Sequence, residues 1–354
     1  MEEIIPEFLL RAVGKVFRIE NFSPLPDLPG AFRFRGYFLY EPEKAYALLS
    51  AELKPLGYTP LFRKDKQGLQ VVTVPGVIHE SPPAKFLSLL LFVLTLLSVI
   101  FTGIFMGERP SLLSGLLFAV ALLGSLVAHE LGHYFVSRQF GSSVSPPYFI
   151  PMPLSPFGTM GAIIKMKSPP LNRRALLRIG AAGPLAGLVI GIPMLIIGLL
   201  LSRVESLPTD RPYYMEGNSI LYLLIKLMIF GQILPSGGKD VFLHPMAFAG
   251  WASLMVTGLN LIPAGQLDGG HIAYAVLGDK AKLLTWFIVG ALIIMGFWWQ
   301  GWFIWALLIA FLGREHARPM DEVTPLKPAD RLIAVAMFII FALLFTPKPL
   351  VLVY

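Results

Sequence analysis

The sequence predicts a polytopic α-helical membrane protein of about six to seven spans, with a small α+β soluble domain at its N-terminus. Three observations predict this class. Hydrophobic residues fill 55% of the 354 positions and charged residues only 14%, against about 45–50% and about 25% in soluble domains. The apolar excess, with a mean hydropathy of +0.68, is gathered into blocks, several of them near the roughly 20 residues that cross a bilayer core. Only residues 1–83 mix charge and apolar character as a soluble unit does. The net charge of +7 lies mostly beside apolar blocks, which fits topology and anionic lipid head groups and argues against a nucleic-acid partner. Cysteine is absent, so disulfides, thiolate metal sites and thiol nucleophiles are excluded.

The elements follow in order. The start, "MEEIIPEFLLRAVGKVF", is acidic and lacks the basic stretch, apolar core and cleavage site of a secretory signal, so the first spans are expected to serve as internal insertion signals. "FRFRGYFLY" (Phe32–Tyr40) alternates as a strand, and "EPEKAYALLSAELKPLGY" (Glu41–Tyr58) has helical apolar spacing after an early proline. "TPLFRKD" and "LQVVTV" read as a hairpin turning at Lys66-Gln67-Gly68, and "HESPP" (His79–Pro83) as a linker. Apolar blocks cover Lys85–Met106, Pro110–Phe140, Arg174–Leu201 and Pro245–Leu277, the fourth interrupted by "NLIPAGQLDGG". Lys282–Trp299, Trp302–Leu312 and Arg331–Phe345 complete the set. The short "LYLLIKLMIFGQIL" (Leu221–Leu234) carries Lys226, so it is expected to be interfacial or re-entrant. Trp298, Trp299, Trp302 and Trp305 read as an interfacial aromatic belt.

Orientation comes from the basic loops. Arg138, Lys165, Lys167, Arg173 and Arg174 follow the second block, Lys280 and Lys282 the fourth, and Arg314 and Arg318 the sixth. All three loops share one face if Leu221–Leu234 does not cross. The positive-inside bias then places that face, and the N-terminal domain, in the cytoplasm. The expected setting is the plasma membrane of a prokaryote.

Chemistry is concentrated in "SLVAHELGHYFVSRQF" (Ser125–Phe140), which sets three ionisable groups inside an apolar block. Such groups are costly in lipid and are kept for function. His129 and His133 are four apart and so lie on one helical face. Both imidazoles can reach one metal while Glu130, beside them, accepts a proton from the water it activates. A hydrolytic zinc site takes three protein ligands and one open position. Val136 stands where an extended motif needs glycine, which removes a nearby third histidine. Of the downstream carboxylates, Asp268 is the one inside an apolar block, where Pro263, Gly265, Gly269 and Gly270 break the helix. Irregular backbone at membrane depth must be buried in protein or line a wet cavity. A helix cap is the alternative role for Asp268. His271 fits a partner to a ligand better than a ligand, and His79, His244 and His316 fit solvated loop ends.

Together, His129-Glu130-x-x-His133, the distant Leu267-Asp268-Gly269-Gly270 and "AAGPLAG" between them resemble the site-2 protease family of intramembrane zinc metalloproteases. "PFGTMGAII" (Pro156–Ile164) and "NLIPAGQLDGGH" (Asn260–His271) are similar to its bacterial, archaeal and plant-chloroplast branch without a PDZ domain. The resemblance covers roughly residues 85–280. It implies a metalloprotease core over 84–280 with three catalytic spans, flanked by the soluble domain (1–83) and further transmembrane helices (281–354). It implies one Zn²⁺ per chain on His129, His133 and Asp268, with Glu130 activating water. It also implies substrate contacts at Asn260, Gly158 and Gly161, the glycines belonging to a strand-like segment whose edge can pair with an unwound substrate. Gly183-Pro184…Gly187 fits close helix packing better than catalysis. The expected activity is hydrolysis of peptide bonds within or next to a transmembrane segment of a membrane-protein substrate. The alternative is a non-proteolytic transporter or inactive scaffold using the same His, Glu and Asp residues. A prenyl-protein type of zinc peptidase would need a downstream glutamate in an apolar helix, which the sequence lacks.

Overall fold

The computed structural model describes residues 5–77, 84–106, 109–208, 210, 212–313 and 318–353. The linker "HESPP" (His79–Pro83), Arg314 and His316 lie outside the described residues.

The N-terminal unit is a four-stranded antiparallel sheet in the order β1-β2-β4-β3. It is built from α1 (Glu7–Gly14), β1 (Phe17–Pro24), β2 (Phe32–Phe38), α2 (Pro42–Leu53), β3 (Tyr58–Asp65) and β4 (Gly68–Pro75). Alternation places Phe32, Phe34, Phe62 and Val71 on the buried face against Leu9, Leu49 and Leu53 of the two helices. α1 and β1 add to the strand, helix and hairpin expected from residue 32 onward.

Edge strand β3 is covered by a segment far along the chain. Phe62 N–H donates to the Met320 carbonyl (2.9 Å), and Glu322 N–H donates to the Phe62 carbonyl (3.1 Å). Met320 and Asp321 also donate to the carbonyls of Pro170 and Leu171, at 3.0 and 2.8 Å. Residues 319–322 thus form a strap between the sheet and the entry to α5 (Arg173–Leu200).

Among the described residues, three helices are long and apolar enough to cross a membrane: α3 (Lys85–Ile104), α4 (Leu112–Gln139) and α5. Between α4 and α5 lies a hairpin of β5 (Tyr148–Pro151) and β6 (Thr159–Ile163), with no strand on the outer edge of β6 among the described residues. After α5, β7 (Arg203–Ser206) pairs with β9 (Lys239–Phe242), and β8 (Tyr213–Glu216) pairs with β10 (Leu350–Val353). Helix α6 (Ile220–Phe230) lies between them, with Lys226 wholly buried. The fourth apolar block divides into α7 (Pro245–Asn260) and α8 (Asp268–Leu277). Helices α9 (Ala281–Met295), α10 (Gly301–Leu312) and α11 (Pro328–Leu344) follow.

The four tryptophans do not form one interfacial belt. Trp298 is exposed, but Trp302 is fully buried, and its indole N–H donates to the Pro347 carbonyl at 2.7 Å. Trp299 donates to the Leu350 carbonyl at 2.8 Å. A buried indole N–H needs an acceptor, and Pro347 and the first residue of β10 supply them.

Candidate metal centre

Helix α4 carries the first three site residues. Its periodicity stacks His129 and His133, whose Nε2 atoms stand 3.1 Å apart. Nδ1 of His133 lies 2.8 Å from the Ile179 carbonyl of α5. A carbonyl only accepts, so Nδ1 carries the proton and Nε2 presents its lone pair. The fourth residue, Asp268, opens α8. The turn before it folds back on Gly265 (φ +59°), whose N–H donates to Thr285 Oγ1 at 3.2 Å. Gly269 and Gly270 are required there, because a Cβ would stand 2.0 Å from the Leu261 carbonyl oxygen or 2.2 Å from that of Gly265. This tight wrap aims Asp268 at α4.

His129, His133 and Asp268 converge. Oδ1 of Asp268 is 3.2 Å from Nε2 of His133, and Oδ2 is 3.3 Å from Nε2 of His129. One potential ligand atom from each of the three lies within 4.8 Å of the others. The donor set fits a tetrahedral zinc. Ligand atoms about 2.0–2.2 Å from one tetrahedral ion lie roughly 3.3–3.6 Å from each other, close to the separations found. Among the described residues the buried Oδ2 also has no hydrogen-bond partner, an arrangement that a cation relieves.

Glu130 is buried beside this cluster and lines the same cleft of about 200 Å³ with His129, His133 and Asp268. His271, one turn past Asp268, and Asn260, the last residue of α7, share the lining. Asn260 and His129 also line an adjoining, mostly apolar groove of about 410 Å³. One wall of that groove is β6, where Gly161 (φ +102°) has open space in front of it. Gly158 is placed differently. It sits in the hairpin turn at φ +71°, its carbonyl accepts from Ser98 Oγ at 2.6 Å, and a Cβ would meet Val99 of α3. The structure therefore brings His129, Glu130, His133, Asp268, Asn260 and Gly161 around two joined cavities, and sets Gly158 behind them as a turn residue.

Sequence reasoning missed several participants. Trp299, Trp305, Pro349 and Leu350 also line the groove, a role their local sequence does not show because it depends on contacts between distant segments, the Trp299 indole bond to Leu350 and the β8–β10 pairing. Ile179 was missed because its backbone carbonyl, not its side chain, does the work. His244 stands partly buried at a loop end, as expected, and also caps α7, its Nδ1 accepting from Met246 N–H at 3.2 Å.

Comparison with known proteins identifies the family of the chain. Residues 117–297 match the family described as Peptidase family M50. The chain is 32% identical over 262 residues to the probable zinc metalloprotease EGY2, chloroplastic, of Arabidopsis thaliana, covering 70% of this chain and 46% of that protein. It is 32% identical over 213 residues to the probable zinc metalloprotease EGY1, chloroplastic, of the same plant, covering 58% and 38%. The chain thus spans about half the length of the curated relatives it matches, or less. A solved site-2 protease from Methanocaldococcus jannaschii matches at 22% identity and a TM-score of 0.34, covering 67% of this chain and 93% of that one. These relatives correct one expectation. The chloroplastic plant proteins point to a eukaryotic organelle membrane, which overturns the expected prokaryotic plasma membrane and, with it, the cytoplasmic side. Loop charges distinguish the two faces of a membrane, but they do not say which membrane it is.

Proposed function

The chain belongs to peptidase family M50, and on that basis we infer that it is an intramembrane zinc metalloendopeptidase. Its substrates are membrane proteins, cut within or next to a transmembrane segment. The observation that carries this reading is the convergence of His129, His133 and Asp268 beside Glu130. The zinc metalloprotease names of the relatives favour it over a transporter or an inactive scaffold.

His129, His133 and Asp268 would hold the zinc, which supplies the Lewis acidity that lowers a water's pKa to about 7. Glu130 takes a proton from the attacking water and hands it to the leaving amine, the two halves of general base and acid work. The Asn260 amide, at the junction of cleft and groove, is placed to hydrogen-bond a substrate carbonyl oxygen as it gains negative charge. The free edge of β6 offers backbone groups to an unwound substrate strand, with Gly161 leaving room for it. The apolar groove excludes bulk water from that strand, while the smaller cleft admits water to Glu130.

The chain divides into a soluble unit (1–83), a protease core (84–280) and C-terminal helices (281–354). Seven crossings follow if α7 and α8 form one broken span, α9, α10 and α11 each cross, and α6 stays at the surface. Two contacts support that count. β10 follows α11 yet pairs with β8, while the strap between α10 and α11 pairs with the segment before α5.

The test is metal content and cleavage together. Purified protein is expected to hold about one zinc per chain, removable by a chelator. Glu130→Gln should keep that zinc and lower cleavage of a membrane substrate by about 10²–10⁴-fold. A variant that cleaves normally would sink the assignment of Glu130.

A further inference from the structure

Helix α5 supplies no ligand, yet it touches every ligand-bearing segment. Gly180, Gly183 and Gly187 follow one another at i, i+3 and i+7, so they share one face of the helix. A Cβ built on Gly183 would stand 2.1 Å from Nε2 of His133 and 2.5 Å from its Cδ2 and Cε1. Nε2 is the atom turned toward Asp268, since Nδ1 faces the Ile179 carbonyl of the same helix. On Gly187 a Cβ would lie 3.3 Å from Cβ and 3.4 Å from Nδ1 of His129. On Gly180 it would lie 3.1 Å from the Asp268 carbonyl oxygen and 3.3 Å from Cβ of His271.

We propose that Gly180, Gly183 and Gly187 are positioning residues of the metal centre. Together they form a bare backbone face against which Asp268, His133 and His129 are set. Gly183 leaves the space in which Nε2 of His133 stands, and the Ile179 carbonyl one turn earlier fixes the direction in which that ring points. Helix–helix packing alone explains other glycines of α5. At Gly198 a Cβ would meet the backbone of Ala247 on α7, 2.2 Å from its nitrogen and far along the helix from the ligands. The three glycines differ in that their neighbours are the ligand side chains themselves or the backbone that bears one. An added methyl at Gly183 drives an imidazole off its position. The methyls at Gly180 and Gly187 ask their neighbours to yield only a few tenths of an ångström.

This inference rests on the zinc reading of the site, and its test separates the two. Purified full-length chain in detergent is loaded with Co²⁺, whose visible spectrum reports ligand geometry, and Zn²⁺ affinity is measured by chelator competition. Wild type that binds neither ion would sink the zinc reading itself. With binding established, Gly183→Ala is expected to bind zinc about 10- to 100-fold more weakly, the range found when a ligand's supporting contact is lost, with a changed Co²⁺ spectrum. Gly187→Ala and Gly180→Ala fold with small adjustments, so they decide the matter if Gly183→Ala does not fold. Both are expected to shift the spectrum and weaken zinc binding several-fold. Gly198→Ala is expected to lower the melting temperature and leave the Co²⁺ spectrum as in wild type. Unchanged spectra and affinities at Gly180 and Gly187, or an equal spectral shift in Gly198→Ala, would overturn the proposal.

Discussion

Asp268 answers two demands at once. As the first residue of α8 it places a carboxylate at the positive end of a helix, and it turns both oxygens toward two imidazoles. Asp268→Asn keeps the shape and one acceptor oxygen but removes the charge and a ligand. The variant is expected to lose zinc to a chelator more readily than wild type, by no less than the about 10- to 100-fold that loss of a ligand's supporting partner costs; unchanged zinc retention would remove Asp268 from the ligand set. The sequence made His129 and His133 legible through helical spacing alone, and Asp268 through its lone place in an apolar block. It could not show that Nδ1 of His133 is pinned by Ile179, because a backbone carbonyl has no residue-type signature. Nor could it separate Gly158 from Gly161. Both have positive φ, and only the packing of Gly158 against α3 tells turn from groove.

Among the elements, α6 shows how burial alters charge. Lys226 Nζ lies 3.5 Å from Asp240 Oδ1 and 4.0 Å from Glu216 Oε1, and 4.7 Å from the centre of the Tyr222 ring. Tyr222 also donates to Glu216 Oε1 at 2.8 Å. Burial pushes the Glu216 carboxyl up to about 7, opposed by the Lys226 ammonium and reinforced by Asp240. An unfolded glutamate titrates at about 4.3. The folded chain therefore keeps a proton that the unfolded chain loses as pH rises from there. This contribution to stability is complete below about 4.3 and fades as pH climbs through 7. Melting temperature should fall between pH 5 and 8 in wild type and fall less in Glu216→Gln, which keeps the oxygen that Tyr222 needs. Equal slopes would show that Glu216 is not the titrating group. The short length of α6 was legible in its sequence, as was the break between α7 and α8. The anchoring of Trp299 and Trp302 was not, since an aromatic cluster near a helix end reads the same whether it faces lipid or a distant carbonyl.

For the whole molecule, the strap at residues 319–322 joins the N-terminal sheet to the core. Arg63 Nη1 donates to the carbonyls of Pro319 (2.8 Å) and Met320 (2.9 Å), and its Nε faces Glu322 at 3.7 Å. Arg63→Ala should cost about 1–3 kcal/mol of local stability. The expected signature is faster amide exchange at Met320 and Asp321 with zinc content unchanged; protection equal to wild type would mean that the backbone ladder alone holds the strap. No sequence pattern forecast this joint, because 257 residues separate Arg63 from Met320. That separation also has a consequence in time. At the usual pace of about 5–20 residues per second, roughly 10 to 50 s pass between synthesis of β3 and of its cover. The sheet closes on local contacts well within that interval, so the growing chain carries an open strand edge, the kind of surface that pairs with neighbours unless something shields it.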